Sequence, residues 1–300
     1  MNKPRIYTPQ ELEQLHEVLY EILNEIVRIC QKHQIPFFVI GGTAIGALYD
    51  EAILPWDDDV DIGMKREDYN RFLQVASREL DKRYFLSYIE TDPHTPYYFA
   101  KVKKNHTLFV ERMFKNVDVH PGIYVDIFPF DRIPDNRRLM KLQHETVKFL
   151  NCCLMGKEAW LWKHCGTCEI ENPSNRGFIP CLINRLIDLL LPKKAIFHLM
   201  VKAQTYFNNK KKTRYYNNVM TKTDHVTEED LNHLEPVKFG PLTLMAPQGL
   251  EAFLRYNYPK LHRFNEEEQA QVANHYPEAL SFNTQAETHS TQKKSAQPHL

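Results

Sequence analysis

The sequence has 300 residues, with 38 acidic and 38 basic side chains that cancel to a formal net charge of zero at neutral pH. That balance excludes a chain-wide basic surface for nucleic acid. An apolar fraction of 43%, with 12% aromatic residues, suits a chain that buries a sizeable core and excludes wholesale disorder.

In chain order, the start from Met1 to Arg5 lacks the apolar stretch of a signal peptide and leads into a helix. Thr8 as cap, Pro9 in the first turn and Glu11 as capping-box partner predict where it begins. Leu12, Leu15, Val18, Leu19, Ile22, Ile26 and Ile29 then recur at helical spacing, and the helix should end near His33, ahead of Pro36. Phe37 to Ile40 reads as a buried strand closed by a tight turn at Gly41-Gly42. A short helix over Thr43 to Tyr49, a loop over Ile53 to Trp56, a strand over Val60 to Met64 and a helix over Lys65 to Leu80 follow. Further strands are expected at Tyr84 to Ile89, Tyr97 to Lys103, Thr107 to Arg112 and Ile123 to Phe128. The region from Arg137 to about Phe207 reads as mainly helical, Val237 to Met245 as a hairpin turning at Gly240-Pro241, and Gln248 to Tyr256 as a helix. Residues 283–300, rich in Gln, Thr, Ser and Lys, read as a disordered tail. These elements predict an α+β or mixed α/β fold, a mixed sheet flanked by helices. Residues 1–282 form one catalytic domain in this reading, with 137–207 as a helical insertion or appendage.

The most informative stretch is Pro55-Trp56-Asp57-Asp58-Asp59-Val60-Asp61-Ile62-Gly63, where four carboxylates fall within five residues. Like charges this close destabilise one another unless solvated, protonated or met by a cation. On a strand, Asp59 and Asp61 share a face, with Val60 and Ile62 turned to the core. Two oxygen donors on one face suit a hard cation such as Mg²⁺, which takes one or two protein carboxylates and completes its shell with water and substrate phosphate. A calcium-binding EF-hand loop does not fit, because Ile62 occupies its glycine position and Asp68 its final glutamate. Upstream, Gly41, Gly42 and Thr43 lie between a strand and a helix, where backbone N–H groups can approach a phosphate. Downstream, Asp126 stands alone in the apolar strand Ile123 to Phe128, and burial without a partner would be costly. If that strand lies beside the Asp59/Asp61 strand, Asp126 is expected as a third metal ligand or as the base that takes a proton from an attacking hydroxyl; the alternative is a strand-end Asp bonded to backbone N–H groups. Lys101 and Lys103 share a strand face from which they can reach phosphates. Asp57 and Asp58 are candidates for orienting metal-bound water or binding substrate.

In this order the three elements resemble the nucleotidyltransferase fold. The fuller strings, Gly41 to Leu48 and Ile53 to Gly63, resemble the LicD family of phosphocholine transferases, which is related to the fukutin-type sugar-phosphate transferases. The likeness continues in Lys101-Val102-Lys103, Thr107, Glu111 and Val125 to Pro129, with a looser echo over Val237 to Tyr258. It implies a catalytic metal, Mg²⁺ or Mn²⁺, on Asp59, Asp61 and Asp126, and donor phosphates at Gly41, Gly42 and Thr43. It also implies a CDP-activated donor such as CDP-choline and a glycan or glycolipid hydroxyl as acceptor, as in lipopolysaccharide or capsule biosynthesis, with no nucleic-acid partner. The second glycine departs from the family's usual residue without touching this chemistry. The same metal site also suits sugar-phosphate, polyol-phosphate or nucleotidyl transfer, and a degenerate member would bind nucleotide without turnover. A glycosyltransferase Asp-x-Asp motif leaves the glycine turn unexplained. A choline head group calls for an aromatic cage, for which Trp56, Tyr97, Tyr98 and Tyr124 are candidates.

Two later features stand apart. Cys152, Cys153, Cys165 and Cys168, with His164 beside them, have spacings open to structural zinc, although reduced thiols on helices explain them as well. The apolar stretch Phe178 to Val201 is interrupted by Asn184, Arg185, Asp188, Pro192 and the Lys193-Lys194 pair, so it is not a membrane span. It reads as a core helix or as an amphipathic helix in peripheral contact with a membrane. The expected location is the cytoplasm, including the inner face of the membrane.

Overall fold

The computed structural model describes residues 7–111, 114–115, 117–164, 191–210, 213–269 and 277–283. Helix α1 (Pro9–His33) starts as its capping box dictates. Thr8 Oγ1 accepts from the Glu11 N–H at 3.2 Å, and Glu11 Oε2 accepts from the Thr8 N–H at 2.9 Å. Its apolar stripe, including Leu15, Leu19, Ile22, Ile26 and Ile29, is fully buried. The helix ends where Gln34 turns left-handed at φ 52°.

The main sheet takes β1 (Phe38–Val39), β2 (Asp61–Lys65), β3 (Tyr84–Ser87), β4 (Ala100–Lys104) and β6 (Tyr124–Ile133) in the order β1-β2-β6-β4-β3. The β2–β6 pair is parallel, and β1, β4 and β3 add antiparallel. Helices α2 (Gly41–Tyr49) and α3 (Arg66–Glu79) bracket β2 in the chain, and α1 packs on β4, β6 and α3. The core runs between these layers, through Phe38, Ile62, Met64, Phe72, Val125, Ile127 and Phe130. This is the mixed, helix-flanked sheet expected from the alternation of elements.

Several boundaries moved. The glycine pair is the first turn of α2 itself rather than a turn ahead of a helix at Thr43. Strand β6 continues past Phe128 to Ile133, through Pro129. Proline is tolerated there because β6 leaves β4 after Ile127 and meets β7 (Tyr215–Asn217) only from Asp131. On that side no ladder bond from residue 129 is required. Strand β7, its partner β8 (Val226–Thr227), the capped helix α6 (Glu228–Asn232) and β11 (Ala279–Ser281) on β5 (Leu108–Val110) carry too few residues for any periodicity to announce them. Helices α4 (Arg137–His164) and α5 (Lys193–Thr205) account for part of the helical middle region and cover a second apolar cluster around Val147, Leu154, Ile196 and Met200. The hairpin of β9 (Glu235–Phe239) and β10 (Leu242–Ala246) and helix α7 (Leu250–Asn257) follow as expected, and α8 (Glu266–Gln269) lies beyond them. Cys165, Cys168, most of the Phe178 to Val201 stretch and the tail beyond Asn283 lie outside the described residues. Among the described helices none is long and apolar enough to cross a membrane.

One buried ion pair ties α3 and α5 to β6. Asp131 is fully buried, and Arg66 Nε approaches its two carboxylate oxygens at 3.0 and 3.2 Å. Arg66 also donates to Gln204 Oε1, and Asn208 Nδ2 donates to Asp131. Removing one member strands the other in the core. Asp131→Ala is therefore expected to cost about 3–5 kcal/mol, read as a drop in the urea midpoint with the slope unchanged.

Candidate active site

The sheet register assembles the site. Asp61 on β2 is the direct partner of Asp126 on β6, and Asp126 is the direct partner of Lys101 on β4. Partners in register share a face, so one row crosses three strands as Asp61, Asp126 and Lys101. Backbone bonds hold the row, because the Asp126 N–H donates to Val60 O at 2.9 Å and the Asp61 N–H donates to Thr43 Oγ1 at 2.8 Å. The Thr43 oxygen thus braces the carboxylate strand against α2.

The glycine pair brings α2 up to the acids. Gly41 adopts φ +54°, which side-chain-bearing residues rarely take. A Cβ on Gly42 would lie 2.5 Å from Asp57 Oδ2, so a side chain there would push that carboxylate aside. The Gly41 N–H points to Asp224 Oδ1 at 3.4 Å. The start of α2, where the helix dipole favours negative charge, is therefore already met by carboxylates of this chain.

The cluster carries more negative charge than its surroundings comfortably hold. Oxygens of Asp57, Asp58 and Asp59 lie within 4.8 Å of one another. Asp58 is buried and accepts from the Tyr7 hydroxyl at 2.6 Å. Burial, then Asp59 and then Asp58, push Asp57 up to about 8. Burial, then Asp59, Asp126 and Asp57, hold Asp61 well above the usual carboxylate range, with Lys101 opposing. Asp126 is raised to about 6, chiefly by burial, against the pull of Lys101. The charges of Asp59 and Asp126 thus bear on Asp61, while among the described residues the closest group of carboxylate oxygens is that of Asp57, Asp58 and Asp59.

Lys101 is an internal counter-ion rather than an open phosphate hook. Its Nζ lies 3.0 Å from Asp126 Oδ1 and 3.1 Å from Oδ2, with Glu111 at 3.7 Å. The ammonium thus sits between both oxygens of the Asp126 carboxylate. The ammonium rests 3.4 Å from the Tyr124 ring centroid and 4.1 Å from that of Tyr97. Two rings proposed for a head-group cage thus already hold a cation of this chain, and their hydroxyls steady Glu111 at 2.9 and 2.6 Å. Lys103 is buried too and donates to His120 O at 2.5 Å, and burial lowers its amine to about 8.

A cation fits this donor set. The oxygens are hard and repel one another: those of Asp57, Asp58 and Asp59 crowd within 4.8 Å, and Asp61, whose partner in register is Asp126, feels the charges of Asp59 and Asp57 as well. Beside the row opens a cleft of about 310 Å³, lined by Gly41, Asp61, Tyr97, Tyr98, Phe128 and Asp224 among others. Asp224 escaped the sequence reading. It sits on a short polar segment without periodicity and reaches the site only through the fold, held by Gly41 and by the Tyr258 hydroxyl at 3.1 Å. Cys153 is buried and Cys152 half-buried on α4, while the other two thiols of the zinc option lie outside the described residues.

Comparison with known proteins meets this geometry at the same residues. Residues 34–152 match the family model described as LicD/FKTN/FKRP, nucleotidyltransferase domain. The chain is 30% identical over 152 residues to the lipopolysaccharide cholinephosphotransferase LicD of Haemophilus influenzae, covering 48% of this chain and 54% of that protein. Uncharacterized proteins of Rickettsia typhi and Rickettsia prowazekii are 27% and 28% identical over 118 residues, or 39% of this chain and 36% and 41% of theirs. The chain thus spans about half or less of the curated relatives it matches. The matched segment carries Gly41, Gly42, the aspartate run, Lys101 and Asp126. Residues 34–152, which hold these site residues, are thus similar to the nucleotidyltransferase domain of the LicD family.

Proposed function

We propose that the protein transfers phosphocholine, or a closely similar phospho-group, from a CDP-activated donor to a hydroxyl of a cell-surface glycan, with a divalent cation at Asp59, Asp61 and Asp126. The observation that carries this reading is the crowding of buried carboxylates around the row: Asp61 stands in register with Asp126 and is raised by burial and by the charges of Asp59, Asp126 and Asp57, against the single ammonium of Lys101. The similarity to a protein named a lipopolysaccharide cholinephosphotransferase supports the choice of group and acceptor. A cation such as Mg²⁺ would supply positive charge against the donor phosphates.

The chain's own residues do the rest. Lys101 keeps Asp126 ionised and fixed in direction, itself steadied by Tyr97, Tyr124 and Glu111. Thr43 fixes the backbone at Asp61. Asp57 stands against Gly42 at the start of α2. The cleft beside Asp61 holds the substrate near the row and, through Tyr97, Tyr98, Phe99 and Phe128, limits water. In the transfer, the acceptor oxygen forms a bond to the phosphorus next to choline, the bond from that phosphorus to the bridging oxygen breaks, CMP leaves, and the hydroxyl proton passes to a carboxylate of the cluster.

The test is a donor screen with Mg²⁺ and a lipopolysaccharide acceptor, read as released CMP. CDP-choline is expected to turn over at least about tenfold faster than CDP-ethanolamine, CDP-ribitol or CDP-glycerol, and EDTA is expected to stop it. Preference for CDP-ribitol or CDP-glycerol would replace the choline reading with polyol-phosphate transfer. Release from none of them, or release indifferent to EDTA, would end the proposal.

A further inference from the structure

A second cavity, of about 770 Å³, lies on the other side of the glycine helix, and the proposed transfer makes no use of it. One wall is Ile45 and Tyr49 of α2 with Leu54 and Trp56 of the following loop. The opposite wall is the segment 257–264, with Tyr258, Leu261 and the exposed Phe264 in its lining. That second wall falls outside the residues that match the family. Trp56 and Phe264 stack with planes 14° apart and close the two walls on each other. The volume is that of a site for a ligand of a few tens of atoms, and the lining is aromatic and aliphatic.

The polar groups of the lining define the charge of the occupant. Asp50 is met by Arg263, and Glu268 by His262 at 2.7 Å. Asn257 spends its amide on His225 and Phe253. The Lys260 carbonyl meets His262 Nδ1 at 2.8 Å, while among the described residues its ammonium makes no hydrogen bond or ion pair and is exposed at the rim. The cavity therefore presents an apolar interior and one uncompensated positive charge. It also touches the reaction centre twice. Trp56 directly precedes the aspartate run, and Tyr258 lines the cavity while its hydroxyl binds Asp224 of the catalytic cleft.

We propose that this cavity is a binding site for an anionic amphiphile, with the apolar chain between α2 and Phe264 and the negative head at Lys260. The reading does not depend on which group the enzyme transfers.

The test uses the full chain without divalent cation and follows decyl phosphate binding by calorimetry below its micellar concentration. One saturable site is expected. Decyltrimethylammonium should bind at least about tenfold more weakly, and inorganic phosphate should give no heat. Leu261→Trp and, independently, Ile45→Trp fill the cavity, and each is expected to weaken decyl phosphate about tenfold or more. A circular-dichroism melt shows which of the two is folded. Lys260→Glu should weaken decyl phosphate while leaving decanol unchanged, and Asp61→Asn should leave both unchanged. The proposal is overturned by any of four results: no saturable binding, equal affinity for the cationic amphiphile, full binding in a folded cavity-filling variant, or loss of binding in Asp61→Asn, which would place the ligand in the catalytic cleft. If CDP-choline turnover fails while this binding holds, only the proposed transfer falls.

Discussion

Asp61→Asn and Asp126→Asn are both expected to abolish measurable transfer, at least about a 10²–10³-fold loss, but to move stability in opposite directions. Asp61 is surrounded by acids, and its charge is opposed by Asp59, Asp126 and Asp57. Replacing it with the neutral amide removes a repulsion and keeps the shape, so the variant should melt higher than the parent in buffer without divalent cations. Asp126 carries the buried Lys101 ammonium at 3.0 Å. Its removal leaves that cation with Glu111 alone at 3.7 Å, and the variant should melt lower, by roughly 3 kcal/mol. Thermal melts of the two variants beside their turnover separate this account from one in which both aspartates are merely structural. In that case both would melt lower and retain transfer in proportion to the folded fraction.

The second large effect is an inverted pH dependence of stability. Asp57 is raised to about 8 and Asp61 is raised well above its ordinary range, so the folded chain binds protons that the unfolded chain has released. Stability from such groups is complete at low pH and is lost as pH rises through their folded values. Other groups bound the window. His16, His120 and His225 are lowered by burial, His120 to about 4, and add stability as pH rises towards about 6.5. Lys103, lowered to about 8, adds stability only above that. The exposed His262 is raised and has the same sign as the aspartates, with a small effect at the surface. Between about pH 6.5 and 8 the melting temperature in EDTA should therefore fall as pH rises. Asp57→Asn should flatten that slope, and Mg²⁺ should raise the melting temperature more at pH 8 than at pH 6.5. A melting temperature that climbs across this window in EDTA would show that the carboxylates are not crowded in solution.

What could be read without coordinates followed from how local each signal is. The start of α1 and the hairpin at Gly240-Pro241 are set by neighbours in the chain, through caps and turns, whereas Asp59 lies ahead of β2 and the strand period expected to join it to Asp61 does not reach it. Asp126 stood out because an acid in an apolar strand needs a partner, and the parallel register with β2 supplies Asp61 beside it. The role of Lys101 was hidden because it depends on which residue of β6 it meets, 25 positions away. Two lysines at alternate positions look the same whether they face solvent, phosphate or a buried carboxylate. Asp224 was out of reach for the same reason, since its contact with Gly41 spans 183 residues. The extension of β6 through Pro129 was missed because proline ends a ladder on one side only, and the side is decided by which strands flank it.

The central claim is that these carboxylates form a cation site made for phosphate chemistry. Titration of the protein with Mn²⁺, followed by the loss of the free-ion electron paramagnetic resonance signal, tests it most directly. The account predicts a saturable site in the parent chain that Mg²⁺ competes for, that Asp61→Asn weakens at least about tenfold, and that tightens when CDP is added. Undiminished Mn²⁺ binding in folded Asp61→Asn and Asp126→Asn, or no saturable binding in the parent with CDP present, would contradict it.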